Sequence, residues 1–368
     1  MRRIVSIVLG VIVLLAIIGG AYLVPAVQDA LIRRAAEAGS SMRNDLVAKD
    51  ALRVLLCGSR GPLPHPTRAE TCVAVFAGGR WYVVDAGPGS WNNLALWRVP
   101  GHAIGAVFLT HHHSDHIGEL GELNTNSWIA GRSGPLRVFG PEGVQRVTHG
   151  FNAAYELDRG YRFAHHGPTV VDPARAPLQA MPVPLRANGA TEALVLQEDG
   201  VRVMAFVVDH DPAAPALAYR FDYGGRSVVI SGDTVPSKRL VRMAKGADLL
   251  VHEAIAVHML PALAAAARAA GRANAPKIMA DIPDYHTTPV DAAKVANEAG
   301  VGALLLYHLV PAPRNDLMER VFMRGVADVR AGVVLGDDGT LVTLPVAGPG
   351  PDGKPAGTQP KVVQFGRI

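Results

Sequence analysis

His111-His112-His113-Ser114-Asp115-His116 sets four histidines and one aspartate within six residues. The stretch has the pattern H-x-H-x-D-H and follows the apolar run 106–109, which has the character of a buried strand. Imidazole nitrogens and carboxylate oxygens are the ligands that Zn²⁺ takes where a bound water must stay reactive. Because one loop cannot complete two coordination spheres, the motif predicts further His and Asp residues at the ends of later strands.

Later apolar runs end in residues of these types. There are three clear cases: the run 201–208 before His210, the run 227–230 before Asp233, and the run 303–307 before His308. In layered sheet folds, binding sites are built where strands deliver side chains to the rim of the sheet. We therefore expect these residues to meet the first motif at one edge.

The residues can be assigned to a pair of zinc ions. The predicted ligands are His111, His113 and His210 at the first ion, Asp115, His116 and His308 at the second, and Asp233 as a bridge between them. A hydroxide between two metals about 3.5–4 Å apart would be oriented for attack, and charge on the reacting oxygens would be stabilised. The ligand types favour two Zn²⁺, with Mn²⁺ or Fe as alternatives.

The composition sets broad limits on the class of protein. The chain has 368 residues, 49% hydrophobic and 18% charged, enough for one large or two small cores. Its formal charge of +4 is too small to argue for nucleic-acid binding by itself. The only cysteines, Cys57 and Cys72, exclude a disulfide scaffold and a Cys-rich zinc site. Two buried thiols are the favoured interpretation, and a disulfide between them stays open.

The N-terminal residues 1–27 predict a transmembrane anchor. Arg2 and Arg3 precede an apolar run of the length that crosses a bilayer, about 20 residues. Such a run is longer than the apolar core of a cleaved signal peptide, which remains the alternative. The two arginines favour an N-terminus inside the cell, although Arg33 and Arg34 lie on the other side. The prediction is a membrane-anchored protein with an extracytoplasmic, periplasmic catalytic domain.

The remainder divides into a linker over 28–51, a globular domain over 52–345 and a Pro/Gly-rich tail over 346–368. In the globular part, short apolar runs bounded by Gly, Pro or Asp alternate with helix-like stretches. This pattern predicts two sheets covered by helices. The clearest helix is 288–300, where Thr288 has the position of an N-cap. The Ala-rich stretch from Leu260 to Ala270 predicts a further helix, which could cover the metal edge as a lid.

Further short motifs follow one another along the chain. They are Gly58-Ser59-Arg60-Gly61-Pro62, Asp85-Ala86-Gly87-Pro88-Gly89, His210-Asp211-Pro212, Ser231-Gly232-Asp233-Thr234, Val251-His252-Glu253-Ala254 and His286-Thr287-Thr288. Together with the first motif and His308, this series resembles the metallo-β-lactamase fold superfamily, and within it the ribonuclease Z and arylsulfatase-like branch. The resemblance covers roughly residues 52–345. It implies an α/β fold, a four-layer αββα sandwich, here preceded by the transmembrane helix.

The resemblance also implies catalytic roles beyond metal binding. Asp115 is the expected proton acceptor, and His286 is expected to help protonate the leaving oxygen. His286 precedes a helix N-terminus, a place that favours the neutral imidazole. Glu253 is expected to orient His286 or a metal ligand.

The resulting prediction is a metal-dependent hydrolase of a phosphodiester, sulfate ester or related ester, with a small-molecule or ester substrate. An alternative is a ribonuclease Z-like endoribonuclease that processes the 3′ end of tRNA. In typical ribonuclease Z, an arm that grips tRNA lies between the third metal motif and the Gly-Asp motif. Here only residues 211–232 lie there, with the pattern of a simple hairpin, and no basic track for phosphates is evident. Nucleic acid is therefore an open but disfavoured partner.

Two other functions agree with part of the sequence pattern. β-Lactamase-like activity is an alternative because zinc β-lactamases of one kind also carry H-x-H-x-D-H, but they lack a bridging aspartate of the Asp233 type. A non-catalytic metal-binding or membrane protein is least favoured, because it requires a broken site and every expected ligand is present.

Overall fold

The computed structural model describes residues 20, 24–185, 189–346 and 363–368. Asn44–Ile368 form one compact unit, separate from the residues up to Arg43. The described strands of the unit are β1 (Ala51–Gly58), β2 (Cys72–Ala77), β3 (Arg80–Val84), β4 (Ile104–Phe108), β5 (Leu136–Gly140), β6 (Leu178–Pro182), β7 (Glu192–Glu198), β8 (Val201–Val208), β9 (Ala216–Tyr223), β10 (Arg226–Ile230), β11 (Leu249–Ile255), β12 (Ala303–Val310), β13 (Val334–Leu335), β14 (Thr340–Pro345) and β15 (Gln364–Arg367).

Helices lie between the strands and before them. Those described are α1 (Pro25–Ser40), α2 (Ser90–Leu96), α3 (Ser114–Ile117), α4 (Leu120–Ile129), α5 (Val144–Ala154), α6 (Glu156–His166), α7 (Lys238–Ala244), α8 (Leu260–Ala269), α9 (Ala275–Asp281), α10 (Pro289–Glu298), α11 (Asp316–Phe322) and α12 (Val326–Val329). At the start of α10 the hydroxyl of Thr288 accepts a hydrogen bond of 3.1 Å from the Asp291 N–H. The sequence prediction of this helix and its cap is therefore confirmed.

The strands form two sheets that face each other. One has the order β15-β14-β1-β2-β3-β4-β5-β6, and the other the order β13-β12-β11-β10-β9-β8-β7. Alternate residues of a strand point to opposite faces. In β1, Val54 packs into the core between the sheets, while Leu55 packs into the core under the helices of the first sheet. A third core, which includes Leu250 and Ala293, lies between the second sheet and its helices. The result is the predicted αββα sandwich.

Several strands run in the same direction and end at the same edge. Strand β3 pairs with β4 in parallel, and β10, β11 and β12 pair in parallel with one another. Strand β8 runs the same way as β10, because β9 lies antiparallel between them. The carboxyl ends of these strands meet, so residues far apart in the chain are delivered to one place. Strands β9 and β10 form a simple hairpin, as predicted.

Cys57 and Cys72 are joined by a disulfide that links β1 to β2. The ladder between the two strands shifts register so that Gly58 pairs with Cys72 and Cys57 is the extra residue. This bulge places both cysteines, which are buried, in the core beneath the helices of the first sheet. The interpretation of two thiols is therefore wrong, because the register that brings them together was not visible in the sequence.

The N-terminal prediction needs correction. Residues 1–19 and 21–23, which hold most of the predicted transmembrane helix, lie outside the described residues. Helix α1 has 16 residues and carries charges along its length, including Arg33 and Glu37. In the part of the chain that the structure describes, no helix combines the length and apolar character needed to cross a bilayer. No described helix therefore bears out the predictions of a transmembrane helix, a membrane partner and a membrane-anchored, extracytoplasmic location.

At the other end, residues 347–362 of the predicted tail lie outside the described residues. The last residues of the chain form β15, which pairs antiparallel with β14 through Thr340 and Arg367. The chain terminus is therefore part of the first sheet.

Candidate metal centre

The first histidine motif lies between β4 and α3. His111 and His113 occupy the loop, with His113 at the N-cap of α3, and Asp115 and His116 lie on this short helix. The loop is held from two sides, because Leu109 N–H donates to the Phe139 carbonyl and His116 N–H donates to that of His113. His111, Asp115 and His116 are buried, so the motif faces the protein interior.

Asp233 reaches this motif from β10 through a turn that requires glycine. Gly232 has a φ of +59°, and a Cβ there would lie 2.6 Å from the Leu217 carbonyl oxygen. Only glycine accepts both the left-handed backbone and this close approach. His210 arrives from the end of β8, and its Nδ1 lies 2.9 Å from the Tyr285 carbonyl oxygen. That contact fixes the ring and leaves Nε2 directed at the centre.

His308 is delivered by an irregularity within β12 and not by the end of that strand. Glu253 pairs with Tyr307 and Ala254 pairs with Leu309, so His308 is the extra residue of a β-bulge. It also has a φ of +44°, which is uncommon for a residue with a side chain. Bulges re-aim side chains next to active sites. The sequence prediction of a strand that stops at His308 is therefore wrong, although the side chain arrives where the prediction put it.

The side chains converge on Asp233. Its Oδ2 lies 3.2 Å from the Nε2 of His308 and 3.3 Å from that of His116. The corresponding distances to His111 and His210 are both 3.8 Å. Although burial opposes it, the His308 and His116 rings hold the pKa of Asp233 well below its usual value. A charged carboxylate thus lies at the centre of four imidazoles.

The two predicted ligand sets are each brought together. Ligand atoms of His111, His113 and His210 lie within 4.8 Å of one another, and so do those of Asp115, His116 and His308. A further grouping of the same kind joins His210, Asp233 and His286. Every residue predicted to bind metal is therefore at the sheet edge and within reach of a shared centre.

The donor set and its unsatisfied atoms fit a metal. His116 Nε2 and Asp233 Oδ1 are buried and make no hydrogen bond among the described residues. His111 Nε2 and His113 Nδ1 lie 2.8 Å apart, with two ring nitrogens directed at each other. Buried polar atoms without partners are rare and call for a bound ion or similar explanation. Imidazole and carboxylate ligands in this arrangement suit a divalent cation.

Asp85 is a functional residue that the sequence analysis did not assign. It follows β3, is fully buried, and accepts hydrogen bonds of 2.8 Å from both the N–H and the hydroxyl of Thr110. Its Oδ2 also lies 2.8 Å from Nδ1 of His116. This contact fixes the His116 ring so that Nε2 faces Asp233. The sequence signal was available, because Asp85 comes directly after the apolar run 81–84, and Asp233 also comes shortly after an apolar run.

Glu253 and His286 form a second buried pair. Glu253 Oε1 lies 3.1 Å from His286 Nδ1 and accepts from the Thr287 N–H at 2.9 Å. Burial lowers the pKa of His286, but the Glu253 carboxylate outweighs it and raises that pKa to about 9. The Glu253 carboxylate thus favours the charged ring, in contrast to the neutral imidazole expected from the position before a helix N-terminus.

Two cavities open onto the centre. One, of about 280 Å³, has His113, Asp115, Asp233, His286 and His308 at its floor. The other, of about 330 Å³, lies beside His111 and His113 and extends to Glu142 and Pro215.

Asp115 is predicted both to bind a metal ion and to accept a proton, and both roles need the charged carboxylate. Burial raises its pKa, but His116 and His308 lower it to about 2, so the carboxylate is charged.

Comparison with known proteins agrees with this geometry. Residues 80–309 match the family model described as the β-lactamase superfamily domain. Ribonuclease Z of Mycobacterium marinum is 37% identical over 265 residues, which cover 71% of this chain and 87% of that protein. Ribonuclease Z of Mycobacterium sp. (strain KMS) is 34% identical over 310 residues, 83% of this chain and 100% of that protein.

Solved structures share the fold. The short form of human tRNase Z superposes with a TM-score of 0.55 at 21% identity, covering 78% of this chain and 98% of that one. The metallo-β-lactamase fold protein YhfI of Bacillus subtilis gives 0.53 at 20% identity, with coverage of 79% and 98%. The sequence relatives and the His/Asp centre identify a metal-dependent hydrolase that acts on ester bonds. The chain belongs to the metallo-β-lactamase fold superfamily, in its ribonuclease Z branch, as the order of its motifs predicted.

Proposed function

We propose that the protein is a ribonuclease Z-like endoribonuclease that hydrolyses a phosphodiester bond of RNA. The observation that carries the proposal is the convergence of the His and Asp side chains on Asp233 in a chain that is 37% identical to a ribonuclease Z. This narrows the broader prediction of a phosphodiester or sulfate ester hydrolase. It also corrects the prediction that nucleic acid is a disfavoured partner.

The short β9–β10 hairpin does not stand against this proposal. The prediction against RNA rested on the short distance between His210 and Asp233 and on the weak positive charge. The match to ribonuclease Z nevertheless extends over the whole length of one relative. This full-length similarity supports RNA as the substrate, although only a short hairpin lies between His210 and Asp233.

In the proposed site, two Zn²⁺ ions would be held by the seven side chains assigned from the sequence. The first would take His111, His113 and His210; the second would take Asp115, His116 and His308; Asp233 would serve both. When bound, such ions lower the pKa of water and stabilise charge on the oxygens of a phosphodiester. Asp85 supports this arrangement because it fixes the His116 ring from behind.

The chain supplies the groups that handle protons. Asp115 lines the 280 Å³ cavity with a charged carboxylate, and this position allows one of its oxygens to accept a proton from an attacking water. His286 lines the same cavity on the other side. With Nδ1 held by Glu253, its Nε2 is the atom that can donate a proton to the leaving oxygen.

The test is cleavage of a 5′-labelled precursor RNA that carries a 3′ extension. The protein is stripped with a chelator, reloaded with Zn²⁺, and compared with Asp233→Ala and with Asp328→Ala, a change at an exposed residue of α12. We expect one internal cut by the wild type and by Asp328→Ala, and none by Asp233→Ala. Hydrolysis of an aryl sulfate or a β-lactam by the zinc-loaded protein, without any RNA cleavage, would overturn the proposal.

A further inference from the structure

A helical hairpin lies beside the metal centre. Helices α8 and α9 and a short turn, Ile282–Tyr285, connect β11 to His286. The hairpin is attached to the fold through a small apolar cluster in which Leu260, Met279 and Ile282 pack with Ile255 and Val310. This Ala-rich segment was predicted to be helical, with a lid as the alternative. The side chains of this hairpin that line the 280 Å³ cavity come from α9 and the turn that follows it, and not from the Ala-rich helix α8.

The side of the cavity that the hairpin lines is apolar. The hairpin contributes Ile278, Ile282 and Tyr285 to the lining of the 280 Å³ cavity, and Pro62 lines it as well. Ile278 is 56% exposed, so its side chain is open to a molecule that enters the cavity. The charged residues nearest to it on α9, Lys277 and Asp281, pair with each other at 2.6 Å and do not line the cavity.

Arginine and lysine side chains of the described residues do not contribute to this lining. Within the described residues, neither the 280 Å³ cavity nor the neighbouring 330 Å³ cavity is lined by Arg or Lys. Within the 280 Å³ cavity, a nucleotide therefore meets apolar side chains beside the His/Asp centre and no arginine or lysine. Aromatic and apolar surface of this kind binds the faces of bases.

Tyr285 has a fixed position relative to the reacting groups. Its carbonyl oxygen lies 2.9 Å from His210 Nδ1, and its ring centroid lies 5.1 Å from that of His210 and 5.0 Å from that of His286. A ring that rests against Tyr285 is thus within one nucleotide of the centre.

We propose that Pro62, Ile278, Ile282 and Tyr285 form a base-binding wall that holds the nucleobase adjacent to the scissile phosphate. The inference rests on the proposed function, because it places an RNA nucleotide in the cavity. The wall binds the base by apolar contact and by packing against the tyrosine ring, which accepts bases of any sequence. Recognition at this position therefore depends on the presence of a base and not on its hydrogen-bonding groups.

The wall can be tested by binding, without turnover. Adenosine 5′-monophosphate and ribose 5-phosphate share a phosphate and a sugar, and only the first has a base. Titration calorimetry of the zinc-loaded protein gives the ratio of the two dissociation constants. We expect the nucleotide to bind about tenfold more tightly, a factor typical of stacking on one aromatic residue. The ratio should fall towards one in Ile278→Ala and Tyr285→Ala.

Leu317→Ala is the matched control, because Leu317 is 65% exposed on α11 and does not line the cavity. Its ratio should equal that of the wild type. The ratio should also be the same at about 50 mM and about 200 mM salt, because a base contact releases no counterions. Equal binding of the two ligands by the wild type would contradict the proposed base-binding wall, even if RNA is cleaved. An unchanged ratio of dissociation constants in both wall variants would contradict it as well. Loss of RNA cleavage with an intact ratio would instead contradict the proposed function.

Discussion

Asp85 Oδ2 lies 2.8 Å from Nδ1 of His116, although Asp85 follows β3 and His116 lies on α3. His116 in turn directs Nε2 at Asp233, so a residue that touches neither cavity governs the geometry of the centre. Asp85 has a φ of +60°, a backbone conformation that aspartate tolerates better than most residues.

Asp85→Asn should weaken metal binding by about 10–100-fold, the usual effect of losing a partner that orients a ligand. The change keeps the size of the side chain and removes its charge. Zinc affinity measured by competition with a chelator tests this. Asp199→Asn is the control, because Asp199 also has a positive φ of 48° but is exposed and pairs with Arg80. Equal affinities for wild type and Asp85→Asn would contradict the orienting role.

Asp233→Ala should lose bound metal and nearly all turnover. Four imidazoles lie within 3.8 Å of its Oδ2, and removing this carboxylate takes away the one ligand predicted to serve both ions. The metal-to-protein ratio after gel filtration is the measurement, with circular dichroism to establish that the protein is folded. A variant that keeps the wild-type ratio would rule out Asp233 as a shared ligand.

His286→Ala should slow hydrolysis of esters with poor leaving groups by about 10²–10⁴-fold, the range for a general acid, and affect good leaving groups less. Good leaving groups depart without a proton. The measurement is the hydrolysis rate of a series of aryl phosphodiesters, plotted against the pKa of the phenol that leaves. The slope of this plot should be steeper for His286→Ala than for the wild type. The control is His258→Ala, since His258 is exposed and contacts the Val321 carbonyl. A uniform loss of rate across the series would argue against proton donation by His286.

Asp338→Ala should lower the free energy of unfolding by about 2–4 kcal/mol, because it leaves buried donors without an acceptor. The Asp338 carboxylate accepts from the N–H groups of Ser59 and Ala69 at 2.9 and 2.6 Å, and from the Asn93 amide at 2.8 Å. Urea unfolding of the chelator-treated protein measures this free energy of unfolding. Asp50→Ala, which removes an exposed pair with Arg53, should cost less than about 1 kcal/mol. Equal losses in the two variants would show that this network contributes little.

The same carboxyl should also make stability depend on pH. Burial raises the pKa of Asp338 above its usual value, in spite of the hydrogen bonds from Ser59 and Ala69. The folded state therefore holds this proton more tightly than the unfolded state. The stabilisation that this proton gives the folded state is complete below the unfolded pKa of about 3.9. It is lost as pH rises through the folded pKa. The wild type should lose stability relative to Asp338→Asn over that window; a gain would contradict the direction of the shift.

The chemistry of the site was largely readable from the sequence. His111, His113, His210 and Asp233 follow buried runs, and ligand types at strand ends are a local property of the chain. Neighbouring parallel strands then bring those ends to one edge. Asp85 follows the same rule but received no role, because it supports His116 from behind and its side chain does not line either cavity at the centre.

Other features depend on contacts between distant segments. The bulge that aims His308 exists because β12 must pair with β11 on both sides of it, and no local pattern encodes that shift. The raised pKa of His286 depends on Glu253, which lies 33 residues earlier. The disulfide likewise depends on the register of β1 against β2.

Residue types and their order along the chain thus determined the family, the layered fold and the donor atoms of the centre, because these follow from strand periodicity and ligand chemistry. Only the folded chain decided which atoms face each other, how they are charged, and that an apolar hairpin stands over them. Those properties arise from pairing register, burial and side-chain packing, which are set by the whole molecule at once.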